Sequence, residues 1–326
     1  MSVIDVHTHY IPSSFLDSVS LGAFEGVSIE SREGKSVSLI FKNGMKHPLN
    51  SNFTSIEARL DVMKSRNVTK HVMCISPRLF FYDLDAELGL EYSKQWNDEI
   101  FSAYQRYPEK ITPMGTLPMQ DIDAAIYELR RISALGFRSI QIGTTVNGIN
   151  LSDLCFEPFF KETASLGILV MLHPLIIPGD ALSNKFELSN LIGNAYQTTS
   201  AASHLLLSGI FDKIPELKVL LVHGGGYLPW QIGRIEHGTR VKQSLKDTRK
   251  PLSDAFGRNL LFDDVTHSAE SLNLLINVVG EDNVLHGSDF PYDMEEYSQS
   301  DFLAQSGYGE GTMKKIMTTN AERYGL

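Results

Sequence analysis

Apolar residues along this chain fall into two alternating rhythms. Short, nearly continuous apolar runs suit strands buried on both faces. Between them lie longer segments with apolar positions three and four apart, the spacing of one helix face. The first run, Val3-Ile4-Asp5-Val6, ends in His7-Thr8-His9. Further runs predict strands over 70–75, 111–116, 138–142, 168–172, 218–222, 259–262 and 283–286. Pro113 limits ladder pairing in the third of these eight strands. Helices are predicted from about Thr54, where Thr-Ser-Ile-Glu57 fits a capping box, and after the 76–83 loop as far as about Tyr107. Others are predicted over 121–135 (Ile122, Ala125, Ile126, Leu129 and Ile132 on one face), over 152–166, and as one or two helices within 174–213.

One excursion breaks the alternation. Over 10–52, Val27 and Ile29, then Val37, Leu39 and Phe41, recur at period two around Arg32-Glu33-Gly34-Lys35. This predicts a β-hairpin inserted into the first βα loop. Eight strands with helices between most of them, and no low-complexity linker, predict a single α/β domain over 1–326, a (β/α)8 TIM-like barrel. An open doubly wound sheet is the alternative. The placement of His7, His9, His173, His223, His267 and Asp289 at or just after strand C-termini favours the barrel. There, all such ends share one face.

Composition changes this picture little. The chain has 326 residues, 42 % hydrophobic and 21 % charged, as expected of a soluble globular protein. No apolar run reaches the length of a membrane span, and the N-terminus carries no signal-peptide pattern. A net charge of −10 argues against nucleic acid as partner. Cys74 and Cys155, far apart, make no disulfide framework and suit the cytoplasm.

The candidate chemistry is in the histidines. His7 and His9 are two apart in a strand, so both imidazoles face one side. Each candidate has a structural alternative when taken alone: a loop histidine at His173-Pro174, a turn cap at Asp289. Jointly, three imidazoles and one carboxylate make a suitable shell for one divalent ion with a position left for water. His223, in His223-Gly224-Gly225-Gly226, is either a base beside that water or a further ligand-like group. His71 and His286 read as core residues, His204 and His237 as helix residues, and His267 as structural or a pocket residue. Asp263 and Asp264 read as residues that orient loops.

These pieces resemble the amidohydrolase superfamily, and more narrowly its branch of 2-amino-3-carboxymuconate 6-semialdehyde decarboxylases and related nonoxidative aromatic decarboxylases. The similarity is carried by Ile4-Asp5-Val6-His7-Thr8-His9-Tyr10-Ile11-Pro12, Ile140-Gln141-Ile142-Gly143, Val170-Met171-Leu172-His173-Pro174, His223-Gly224-Gly225-Gly226, Gly233-Arg234, Gly287-Ser288-Asp289-Phe290-Pro291 and Asn320-Ala321. The resemblance implies one metal ion, Zn2+ first and Mn2+ second, on His7, His9, His173 and Asp289, with a water completing the shell. His223, with Asp289, is then the acid–base catalyst. It further implies a homodimer and a small-molecule carboxylate substrate met by Arg234, with His47 and Phe290 also at the substrate. Two departures bear on which substrate. The family's arginine before proline is here His47-Pro48, which lacks the fixed charge and the bidentate fork. Its Asp-Tyr-Pro is here Asp289-Phe290-Pro291. The loop Arg78-Leu79-Phe80-Phe81-Tyr82 is a candidate wall for a planar substrate. Gln141 and Gly143 stand where binuclear relatives carry a bridging lysine, which favours one metal. The expected activity is carboxy-lyase; a hydrolase of a lactone, amide or C–C bond is the alternative.

Overall fold

The computed structural model describes residues 2–31, 37–175, 185–245, 248 and 251–326. One eight-stranded sheet runs in chain order: β1 Ile4–Tyr10, β2 Lys70–Ile75, β3 Ile111–Thr116, β4 Ser139–Gly143, β5 Leu169–His173, β6 Lys218–Leu221, β7 Leu260–Asp263 and β8 Val284–Leu285. Every neighbouring pair is parallel. Backbone bonds bring the last strand round to the first. Val6 N–H donates to His286 O at 2.9 Å, His9 N–H to Phe290 O at 2.6 Å, and Asp289 N–H to His7 O at 2.9 Å. The fold is therefore the expected barrel, and the open sheet is excluded. Pro113 does not exclude β3 from the ladder, where it stands opposite Met73.

The longest helices among the described residues are α1 Ile56–Ser65, α2 Ala86–Arg106, α3 Ile122–Leu135, α4 Glu157–Ser165, α5 Ala195–Ser208, α6 Leu228–Val241 and α7 Ala269–Val279. Side chains cap four of these starts, those at Ser55, Asp85, Asp121 and Ser268. Ser55, not Thr54, caps α1, accepting from Ala58 N at 3.2 Å, because Thr54 ends a separate short helix, Ser51–Thr54.

Strand alternation divides the core into two layers. Ile4, Val6, Met114, Met171, Leu220, Leu261 and Leu285 pack together, with Ala321 and Leu326 of the chain end against them. Their strand neighbours, such as Val170, Leu172, Val219 and Phe262, pack into the larger cluster that includes helix residues.

The insertion differs from expectation. It is a three-stranded antiparallel sheet, Val27–Glu30, Val37–Phe41 and Lys46–Leu49, preceded by a helix at Ser13–Ser20. The predicted turn at Arg32–Lys35 lies outside the described residues. The third strand is four residues long and contains Pro48, so period-two patterning barely marks it. It is tolerated because it is an edge, paired on one side only.

Candidate active site

The site begins with an irregularity in β1. Asp5 pairs with His71 but Thr8 pairs with Met73, so β1 carries one extra residue between them. Such a bulge re-aims the side chains that follow it. Ile4 and Val6 share one apolar cluster. Beyond the bulge the odd-numbered His7 and His9 face the same mouth, their ring centroids 5.0 Å apart. Without the extra residue, even and odd positions would stay on opposite faces.

His173 ends β5 and Asp289 follows β8. The His173 ring lies 5.2 Å from His7 and 5.0 Å from His9. Asp289 Oδ1 is 3.0 Å from His9 Nε2 and 3.3 Å from His7 Nε2. Its other oxygen, Oδ2, lies 3.5 Å from His223 Nε2. Five side chains therefore converge: His7, His9, His173, His223 and Asp289. One ligand atom each from His7, His173, His223 and Asp289 all fall within 4.8 Å of one another. His9 stands outside that set of four but touches the same carboxylate oxygen as His7.

The imidazoles are oriented for a cation. His7 Nδ1 is 2.7 Å from Asp263 Oδ2, His9 Nδ1 is 3.2 Å from Ile75 O, and His173 Nδ1 is 2.9 Å from Pro174 O. Tying Nδ1 to an acceptor puts its hydrogen there and leaves Nε2 with a lone pair. Nε2 of His7 and of His173 is buried without a hydrogen-bond partner among the described residues. The electrostatics agree. Burial favours the neutral carboxyl of Asp289, yet His7 and His223 hold it well below the usual carboxylate range. Burial opposes protonation of His7, but Asp289 and then Asp263 outweigh it and raise that imidazole. Burial, then His9 and His7, push His173 well down. The constellation thus favours one positive charge at its centre, and neutral imidazoles with a carboxylate suit a divalent ion. Gln141, buried in the middle of β4, donates from Nε2 to Ile75 O at 3.3 Å.

Both catalytic candidates sit on strained backbone. His223 has φ 56° and Asp289 φ 63°, a left-handed region that costs roughly 1 kcal/mol or more for residues other than glycine. After His223 the chain turns through Gly226, where a Cβ would stand 2.2 Å from Ala195 O. Only glycine fits so close to that carbonyl. Asp263 ties this turn to His7: its Oδ2 meets His7 Nδ1 and its Oδ1 accepts Gly224 N–H at 2.7 Å. Asp5 joins the barrel seam by accepting from His7 N and Ser288 N, each at 3.1 Å.

Two cavities meet at Asp289. The larger, about 1010 Å³, has His173, Asp289 and Tyr292 at its floor and Phe24, Phe41, Phe80, Phe81 and Tyr82 along its walls. The smaller, about 390 Å³, reaches His223, Tyr227, Trp230 and His267. The expected substrate residues fare differently. Phe290 is fully buried on the far side of β1, 5.2 Å from the His71 ring and 4.9 Å from the Arg59 guanidinium, and lines neither cavity. The chain turns at Asp289, whose backbone is left-handed, and Asp289 opens to the cavities while Phe290 packs against His71 and Arg59. His47 is buried behind Tyr292, their rings 5.5 Å apart, with Nδ1 2.8 Å from Pro48 O. Arg234 is exposed on α6 and reaches neither cavity within this chain. Sequence reasoning missed Tyr292, whose ring is 5.2 Å from His9, and the hold of Asp263 on His7. His71 and His286 are indeed core residues, the latter 3.3 Å from Asp264.

Residues 4–324 match the Amidohydrolase family model. The 2-amino-3-carboxymuconate-6-semialdehyde decarboxylase of Dictyostelium discoideum is 30% identical over 98% of this chain and 90% of its own length. The crystal structure of Metarhizium anisopliae IDCase in apo form superposes with a TM-score of 0.87 at 23% identity, covering 99% of this chain and 96% of that one. A dihydroxybenzoic acid decarboxylase from a Polaromonas species, solved with bound manganese and the inhibitor 2-nitroresorcinol, superposes with a TM-score of 0.80 at 21% identity, over 99% and 96% of the two chains.

Proposed function

The chain belongs to the amidohydrolase family, and we propose that within it this protein is a metal-dependent nonoxidative decarboxylase of an aromatic or muconate-like carboxylic acid. The observation that carries this reading is the convergence of His7, His9, His173, His223 and Asp289, with His173 and Asp289 opening into an aromatic-walled cavity and His223 into the smaller cavity that meets it at Asp289. His7, His9, His173 and Asp289 would hold the ion, zinc first and manganese second. A divalent ion there supplies positive charge that draws in a carboxylate and stabilises negative charge developing on the conjugated system.

The chain's own residues do the rest. The aromatic walls hold a planar acid and exclude water. The bond to the carboxylate carbon breaks, its electron pair stays on the ring or chain carbon, and carbon dioxide leaves. That carbon takes a proton in exchange. Asp289 Oδ2 and His223 Nε2, 3.5 Å apart, are the pair placed to hold and deliver it. His223 lies on the other carboxylate oxygen from the one shared by His7 and His9, which supports separate roles for binding and proton transfer.

We read the chain as a single-domain cytoplasmic homodimer acting on small-molecule carboxylates. The free Cys74 and Cys155 support a reducing compartment. Among the described residues no helix is long and apolar enough to cross a membrane. Sedimentation tests the dimer. The activity is tested by incubating the metal-loaded protein with a panel of hydroxybenzoic and conjugated dienoic acids. Carbon dioxide and the decarboxylated product should appear together. A hydrolysis product without carbon dioxide would favour the hydrolase alternative instead.

A further inference from the structure

The wall of the larger cavity carries a charge that the reaction at its floor does not use. Arg78 lies on the loop after β2 and lines the cavity half-buried. Lys42, the other Lys or Arg on the lining among the described residues, is exposed at the rim. The one side-chain partner of the Arg78 guanidinium among the described residues is the Met45 thioether, 3.4 Å from Nη1. Glu25 and Asp83 also line the cavity, but both are exposed and neither forms an ion pair with it. A guanidinium stays charged and presents a planar fork suited to a carboxylate. A thioether is a poor acceptor and leaves most of those donors free.

The charge is felt toward the floor. After burial, Arg78 is the main influence holding His47 down to about 4. It also opposes the burial that raises Tyr292. The Tyr292 ring touches both His47, at 5.5 Å, and His9, at 5.2 Å. Phe80 and Tyr82, stacked at 7° between ring planes, and Phe81 flank the same passage. The cavity therefore has a cation-seeking carboxylate and imidazoles at one end, rings along its length, and a half-buried guanidinium on its wall.

We infer that Arg78 is a specificity-determining residue that grips a second carboxylate of the substrate. The substrate class is then a planar conjugated diacid, one carboxylate lying at the His173 and Asp289 end and leaving as carbon dioxide, the other retained on Arg78. The inference rests on the decarboxylase reading for the fate of the first carboxylate, but not for the grip on the second.

The test is calorimetric titration of the metal-loaded protein with benzoate, benzene-1,3-dicarboxylate and benzene-1,4-dicarboxylate. At least one diacid should bind wild type about tenfold tighter than benzoate, as for one charge-assisted forked contact. Arg78→Met should erase that preference while leaving benzoate affinity within about twofold. Arg78→Lys should keep part of it, and Arg78→Gln should behave like Arg78→Met with less change in polarity. The melting temperature of each variant reports folding. The inference is overturned if neither diacid outbinds benzoate on wild type, or if the preference survives in folded Arg78→Met or Arg78→Gln. A diacid preference that depends on Arg78 in a protein releasing no carbon dioxide would sink the decarboxylase reading alone. Carbon dioxide release without that preference would sink only this one.

Discussion

The floor of the large cavity and its walls are held by different forces. Floor residues stand at strand ends, fully or nearly buried, and the imidazoles of His7, His9 and His173 each have Nδ1 tied to an oxygen at 2.7–3.2 Å. The walls come from the inserted sheet and the loop after β2. They are held by ring contacts, such as Phe24 on Phe81 at 4.7 Å and Phe15 on Phe24 at 5.1 Å. Hydrogen bonds around an ion tolerate errors of tenths of an ångström, whereas apolar packing accepts changes that conserve volume. The floor therefore fixes which reaction is possible, and the walls select what enters.

Substitutions on each side should separate these roles. Asp289→Asn removes a proposed ligand and half of the proton-transferring pair, so carbon dioxide release should fall by about 10³-fold or more. Retention of a tenth of the wild-type rate would contradict its role. Asp263→Asn keeps the shape but loses the carboxylate that orients His7. Metal affinity, read by competition with a chromophoric chelator, should weaken by roughly 10- to 100-fold while the melting temperature of the chelator-treated protein changes little. On the wall, Phe80→Leu should raise KM by about tenfold or less, with kcat and metal content near wild type. A large loss of kcat there would erase the distinction between floor and wall.

A separate effect, on the scaffold behind the floor and not on turnover, is stability in acid. Burial, with Arg78 next, holds His47 down to about 4 against an ordinary 6.5. The folded state therefore favours the neutral imidazole. The contribution is present above pH 6.5 and is lost as pH falls through the window from 6.5 to about 4. Its size is on the order of 3 kcal/mol, the linkage value of a shift that large. Melting curves across that window should show His47→Gln losing less stability on acidification than wild type does. Parallel curves would remove His47 as a cause.

The barrel was legible because a strand buried on both faces writes itself as an apolar run. β2 and β3 begin and end where the hydrophobic pattern does. The convergence of His7, His9, His173 and Asp289 was legible too, since strand ends in a barrel share one rim. Other features depend on contacts that no local pattern encodes. The bulge that keeps Val6 and His7 on the same side is a matter of pairing with β2. Asp263 and His7 are 256 positions apart, so an aspartate read as a loop residue could not show its partner. Phe290 followed its neighbour Asp289 into the expected site, although the left-handed turn at Asp289, which no local pattern marks, leaves it on the opposite face. Tyr292 then takes the cavity floor. The third inserted strand was too short, with Pro48 inside it, for its period to register.

The central claim is tested most directly by anomalous diffraction from crystals of the metal-loaded protein, collected at the zinc and manganese edges. The account predicts a single strong peak roughly 2.0–2.2 Å from Nε2 of His7, His9 and His173 and from a carboxylate oxygen of Asp289. His223 should stand beyond bonding distance, near the other oxygen. A fully loaded protein whose ion lies elsewhere, or whose ion is bound by His223 while His9 is left out, would contradict it.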